Sequence, residues 1–300
     1  MTKVHTFVAA LAITAGPLAA QARDSVQVRT EPDTLVRGTV GWLVVRGWGP
    51  APLSGWAAGE PLHLFLKDNG EFRALIAAPF EETDSLPVAL VRAGAAGLPE
   101  TLNITLPIAV GTYRSEQLRV AAKYAAPDSA AVARIQREIE LARAVSREAH
   151  DTPRAWCAPF RVPRPGRVTS VFGTAREFNG VVSSRHLGTD FAGDVGTPVR
   201  AANAGLVALV ADFYLAGTVV YLDHGGGVVT GYFHLSRSEV TPGNLVRRGQ
   251  VIGRVGKSGR VTGPHLHWIA RYGGITVDPM SLVAVTRTST STGTRTRTAN

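Results

Sequence analysis

At 300 residues, 45% hydrophobic and 18% charged, the chain is long enough for one large or two ordinary domains and too apolar for wholesale disorder. Its formal charge of +9 suits an anionic partner, but arginine is spread thinly and no basic helix is clustered, which argues against nucleic acid. Glycine, at 32 residues, favours tight turns over long helices, and a single cysteine, Cys157, excludes an intramolecular disulfide.

The predicted elements begin with an export signal over residues 1–22. Met1-Thr2-Lys3 is a short basic start, Phe7 to Leu18 is mostly apolar, and Ala20-Gln21-Ala22 offers a small-x-small cleavage site before Arg23. The apolar run, interrupted by Gly16 and Pro17, is short for a membrane span. The mature chain is therefore expected to have no integral span and to act in the periplasm or outside the cell.

Residues 23–126 read as strands. Leu62, Leu64 and Leu66 alternate with other residues, Asp68-Asn69-Gly70 is a strong turn, and Phe72 to Ile76 continues beyond it. Leu102, Ile104, Leu106, Ile108 and Val110 form a period-2 stripe with one face to bury. Short strands spaced by turns predict an accessory β-sandwich, of which the immunoglobulin-like domain is one form. His63 falls within the strand pattern and is expected to be structural.

Residues 127–152 change texture. Val132, Ile135, Ile139 and Ala142 recur at helical spacing, with Asp128 or Ser129 as N-cap, and predict a linking helix, the one convincing helix of the mature chain. From 153 to 285 short strands and glycine turns return. Thr218 to Leu222 and Val228 to Phe233 form a hairpin across Asp223-His224-Gly225-Gly226-Gly227, with His224 structural. Trp156, Ala158 and Phe160 around Cys157 predict a buried packing thiol. Residues 286–300, nearly all Thr, Ser, Arg and Gly, lack the apolar surface to fold and read as a disordered tail. The predicted class is mainly β: a sandwich, a connecting helix and an antiparallel β domain.

The chemistry concentrates in the second domain. In His265-Leu266-His267, residues two apart on a strand share a face, with Cα atoms roughly 6.6 Å apart, so both imidazoles can serve one centre. His186 and Asp190, four apart, would sit about 13 Å from each other if extended, and a turn at Leu187-Gly188 is needed to bring them together. His186, Asp190 and one histidine of the 265/267 pair then make a three-donor set with an open fourth position, which suits catalytic zinc better than structural zinc. The remaining histidines, with His234 among them, are placed to move a proton and stabilise an oxyanion.

His186-x-x-x-Asp190, His234-Leu235-Ser236 and His265-x-His267, in this order, resemble the lysostaphin/LytM-type zinc endopeptidases. So do Gly196 to Ala202, Gly205-Leu206-Val207, Gly243 to Gly253, Gly256, Ser258-Gly259 and Val277-Asp278-Pro279. The resemblance spans roughly Val168 to Leu282. It implies a compact, mostly antiparallel β domain with a groove, binding one Zn2+ through His186, Asp190 and His267, with His234 and His265 as the catalytic pair. The implied substrates are the peptide stems or bridges of peptidoglycan, with other cell-envelope proteins as further partners. Related regulatory proteins keep this fold without a full ligand set and activate other wall hydrolases; here all five positions are intact. Asn179 and Tyr232 are expected to line the groove, Tyr232 because it lies two residues before His234 on one strand face.

Overall fold

Short alternating segments and two continuous apolar runs in the first third of the chain form nine strands: β1 (Gln27–Glu31), β2 (Leu35–Val36), β3 (Val40–Arg46), β4 (Leu53–Ala57), β5 (Glu60–Pro61), β6 (Phe65–Leu66), β7 (Phe72–Ala77), β8 (Ser85–Ala93) and β9 (Pro99–Ala109). The structure, a computed structural model, describes residues 26–81, 84–94, 98–180 and 182–288. The export signal expected at 1–22 and positions 289–300 of the expected tail lie outside them.

The strands form a four-stranded sheet, β1-β3-β7-β6, facing a five-stranded sheet, β2-β9-β8-β4-β5. Leu35, Leu43, Val45, Phe72, Ile76, Leu86 and Leu90 fill the space between them. The predicted turn at Asp68-Asn69-Gly70 joins β6 to β7, which pair antiparallel.

β3 and β7 are buried on both faces. Leu43, Val45 and Ile76 point into the sandwich. Val40, Trp42, Val44, Leu75 and Ala77 point the other way, into one cluster with residues of the second unit such as Phe191, Tyr232 and Trp268. Trp42 also donates from Nε1 to the Val285 carbonyl at 3.1 Å. The two units therefore share a core.

Between them run β10 (Ser115–Leu118), α1 (Ala122–Ala125) and α2 (Ser129–Glu148). The Asp128 side chain caps α2, accepting from the Ala131 amide at 2.7 Å. The buried side of α2 is not the stripe the spacing predicts: Val132 and Ile139 are exposed, while Ala131, Ala142, Val145 and Ser146 are buried. The second half makes the apolar contact, with Ala142, Val145 and the following Ala149 clustered with Phe213, Val219, Tyr221 and Ile269, while in the first half Glu138 accepts the Tyr214 amide.

The second unit contains β11 (Val168–Ser170), β12 (Ala175–Phe178), β13 (Val182–Arg185), β14 (Thr189–Ala192), β15 (Pro198–Arg200), β16 (Gly205–Phe213), β17 (Gly217–Asp223), β18 (Val228–Ser238), β19 (Leu245–Val246), β20 (Val251–Val255), β21 (His265–Tyr272), β22 (Ile275–Val277) and α3 (Pro279–Thr288). Its main sheet runs β11-β14-β21-β18-β17-β16-β19, with β15, β20 and β22 attached at its margins. The predicted hairpin is β17 and β18. A small sheet, β10-β12-β13, stands beside it, and β10 joins it parallel to β12. Residues 115–118 thus lie with the second unit, against the boundary expected at 126.

Two further expectations need correction. The tail does not begin at 286, because α3 continues to Thr288. Thr286 is 3% exposed, donates from its hydroxyl to the Leu282 carbonyl and accepts the Phe160 amide. Cys157 is exposed rather than buried: Trp156 and Phe160 turn inward from this irregular segment, and the thiol between them faces out.

Candidate metal centre and cleft

Strand pairing assembles the site. β21 lies between β14 and β18, with Asp190 opposite His267 on one side and Phe233 opposite His267 on the other. His186 reaches the same point from the turn before β14, where the chain bends at Gly188. A Cβ on Gly188 would stand 2.6 Å from His267 Cε1 and 2.6 Å from the Trp268 carbonyl, so glycine is needed for clearance as well as for the turn.

The three expected donors converge. His267 Nδ1 is 2.7 Å from Asp190 Oδ1, His186 Nε2 is 2.8 Å from His267 Nδ1, and His186 Nε2 is 3.0 Å from Asp190 Oδ1. Among the described residues no other trio of His, Cys, Asp or Glu side chains gathers in this way. His186 Nδ1 faces the Val171 carbonyl at 2.9 Å, which requires the proton on Nδ1 and leaves the Nε2 lone pair directed at the centre. The second Asp190 oxygen accepts from Arg176 Nη2 at 2.6 Å, so the carboxylate is held from behind while Oδ1 faces the histidines.

Electrostatics favour the forms that bind a metal. Burial pushes the Asp190 carboxyl up, but its proximity to His267 and His186 outweighs this, and its pKa lies well below the usual carboxylate range. Burial drives His267 down to about 4 despite the neighbouring Asp190 carboxylate. His234 is also lowered, by burial first and then by His265 and His267. His267 and His234 are thus neutral at pH 7.

The other two histidines stand beside the trio. His234 Nδ1 donates to the Ser258 carbonyl and His265 Nδ1 to the Gly263 carbonyl, each at 2.8 Å. Each Nε2 remains free to accept a proton. Their rings are 4.8 Å apart, and His265 Nε2 is 3.8 Å from Asp190 Oδ1. His234 has a left-handed backbone, φ 61°, at an irregularity in β18 where Val220 pairs with Tyr232 but Thr218 pairs with Leu235.

That irregularity overturns the expectation for Tyr232. With the alternation broken, Phe233 and His234 line the cleft, whereas Tyr232 is wholly buried and its hydroxyl accepts the Ala202 amide at 2.9 Å. Asn179 is displaced as well. It sits at the β12–β13 turn outside the histidine cleft, its side chain accepting the Val120 amide and donating to the Val120 carbonyl. His224 is structural as expected: it is buried, with Nδ1 on the Ala204 carbonyl and Nε2 on Thr230 Oγ1. His63 faces His150 at 2.8 Å, far in sequence from the cleft residues.

Several cleft residues were not singled out from the sequence. Arg176, Glu116, Ser170 and Arg260 line the cleft with the histidines. Ser170 hydroxyl hydrogen-bonds Glu116 Oε2 at 3.1 Å and lies 3.2 Å from His186 Nδ1. No spacing rule flags them, because each arrives from a separate segment; only Ser258-Gly259 beside Arg260 carried a signal.

Comparison with known proteins agrees with this geometry. Residues 184–279 match Peptidase family M23. Peptidoglycan DD-endopeptidase ShyC of Vibrio cholerae is 42% identical over 97 residues, which are 32% of this chain and 22% of ShyC. Peptidoglycan DD-endopeptidase ShyA of the same species is 48% identical over 83 residues, 28% of this chain and 19% of ShyA. The chain thus spans about a fifth of the length of these relatives (22% and 19%). A crystal structure described as a peptidase M23 from Pseudomonas aeruginosa is 27% identical, with a TM-score of 0.62, and the match covers 83% of this chain and 95% of that one. That likeness extends over both units.

Proposed function

Because this chain carries a peptidase family M23 domain, we propose that it is a zinc-dependent endopeptidase that hydrolyses the peptide cross-links of peptidoglycan, exported to the periplasm or beyond the cell. The observation that carries the reading is the trio of His186 Nε2, Asp190 Oδ1 and His267 Nδ1, mutually 2.7 to 3.0 Å apart, with two more imidazoles beside it.

Two imidazole nitrogens and one carboxylate oxygen fit zinc by donor chemistry, and three protein donors leave the open position of a catalytic site. When bound there, zinc supplies Lewis acidity and a water acidic enough to give hydroxide near neutral pH. Val171 fixes the His186 tautomer, and Arg176 holds the Asp190 carboxylate in one orientation. His234 and His265 have Nδ1 committed to carbonyls, so Nε2 takes the proton from the attacking water and then, protonated, donates to the oxyanion or the leaving amine. Phe233 and Leu187 give the cleft apolar wall, and the chain's +9 charge suits an anionic wall polymer.

The test is digestion of purified sacculi. The mature protein should release soluble muropeptides, stop when a chelator removes the metal and resume on adding zinc. Absence of release alone, with stimulation of a partner amidase, would instead identify a non-catalytic activator.

A further inference from the structure

The charges in the cleft do not balance. Arg176 meets two carboxylates, Asp190 at 2.6 Å and Glu116 at 3.5 Å. Arg260 lines the same cleft, half-buried, and makes no ion pair with any described carboxylate. Its guanidinium lies 4.1 Å from the centroid of the Phe178 ring, a cation–π contact that does not neutralise its charge. Burial and the nearby Arg176 charge both act to lower its pKa, and no acidic group offsets them.

Arg260 is also tied to the chemistry by its place in the chain. Ser258, two residues earlier, holds His234 Nδ1, and His265 follows five residues later. The Arg260 amide donates to the Leu215 carbonyl at 2.8 Å, so the segment is pinned to the loop that also holds the His234 amide through the Ala216 carbonyl. A partly desolvated, unpaired guanidinium lining the same cleft as the histidines is a site for a planar anion, and the fork matches a carboxylate.

We propose that Arg260 binds a free carboxylate of the substrate close to the scissile bond, so that the cleft selects cross-links whose amine-donating residue is a diamino acid carrying its own carboxylate. This rests on the endopeptidase reading and narrows it. A direct cross-link between two stems places that carboxylate on the amine-bearing carbon, next to the amide to be cut. A bridge of glycines offers none there, and amidation removes the charge.

The experiment compares two synthetic cross-linked stem dimers, identical except that this carboxylate is free in one and a carboxamide in the other. The zinc-loaded full chain should cleave the carboxylate dimer with kcat/KM roughly tenfold or more above the amidated one, mainly through KM. In Arg260→Gln the ratio should collapse towards one, with zinc content and thermal midpoint at wild-type values, and Arg260→Lys should restore part of it. Equal cleavage of both dimers by the wild type would overturn the subsite and leave the endopeptidase reading standing. So would a preference that survives in Arg260→Gln. The wild-type comparison needs no substitution, so a variant that failed to fold would not blunt it. Cleavage of neither dimer would overturn the endopeptidase reading itself.

Discussion

His267 and His234 lie in one cleft, yet they face different tasks. His267 Nδ1 points at Asp190 and His186, whereas His234 spends Nδ1 on the Ser258 carbonyl and keeps Nε2 free. His267→Ala should therefore lose both zinc and activity. His234→Ala should retain zinc, assayed by metal analysis of the dialysed protein, and lose about two to four orders of magnitude in turnover. Equal zinc loss in the two variants would mean that the division between ligand and proton carrier is wrong. The His265/His267 pair and the need for a turn between His186 and Asp190 were legible in strand periodicity, whereas the place of His234 and the choice of His267 were legible through the family resemblance. Tyr232 was misread by the same periodicity, since the irregularity in β18 sends Phe233 and His234 into the cleft and leaves Tyr232 in the core. Arg176 and Arg260 were silent, because an arginine's partner is decided by whichever strand packs beside it.

Elements carry the next set of consequences. The β17–β18 turn encloses His224, which burial holds at about 4 although the Ala204 carbonyl and Asp223 favour the charged form. Its unfolded value lies near 6.5. As pH falls below 6.5 the unfolded chain takes up a proton that the folded chain refuses until about 4, so stability is lost across that window. The loss due to this residue should approach about 3 kcal/mol. His224→Asn should lower stability at pH 7 yet flatten the decline between pH 6.5 and 4, measured by urea midpoints across that range. An unchanged slope would exclude His224 as a source. The hairpin itself was readable, because glycine turns and alternating strands leave a local signature. Helix α3 was not. Its buried Leu282, Val283, Val285 and Thr286 do recur at helical spacing, but β-branched residues and the polar run beyond them hid the pattern. Packing against β3 and β21 decides it.

Across the whole molecule the sandwich and the second unit are expected to unfold together. The outer face of the β3–β7 sheet, with Trp42 at its centre, packs into the core of the second unit. Tyr272 donates to the Pro61 carbonyl and the Asp278 amide to the Gly38 carbonyl across the same boundary. Calorimetry should show one cooperative transition. Trp42→Ala should destabilise it by about 3–5 kcal/mol while keeping it single. Two resolved transitions in the wild type would show that the shared core does not couple the units. Two strands buried on both faces read as plain hydrophobic runs, and period-2 reasoning cannot say what lies on either side of them.

Short-range rules of spacing, turn chemistry and strand alternation in the sequence determined the mainly β architecture and a candidate donor set of His186, Asp190 and one histidine of the 265/267 pair. The choice of His267 as third donor, with His234 and His265 beside it, came from the family resemblance. Tertiary structure alone decided that β10 joins the second unit, that Tyr232 belongs to the core and that Arg260 faces the cleft with no ion pair to a described carboxylate. Those facts depend on contacts between segments far apart in the chain, and a local pattern holds no record of which distant surface will cover it.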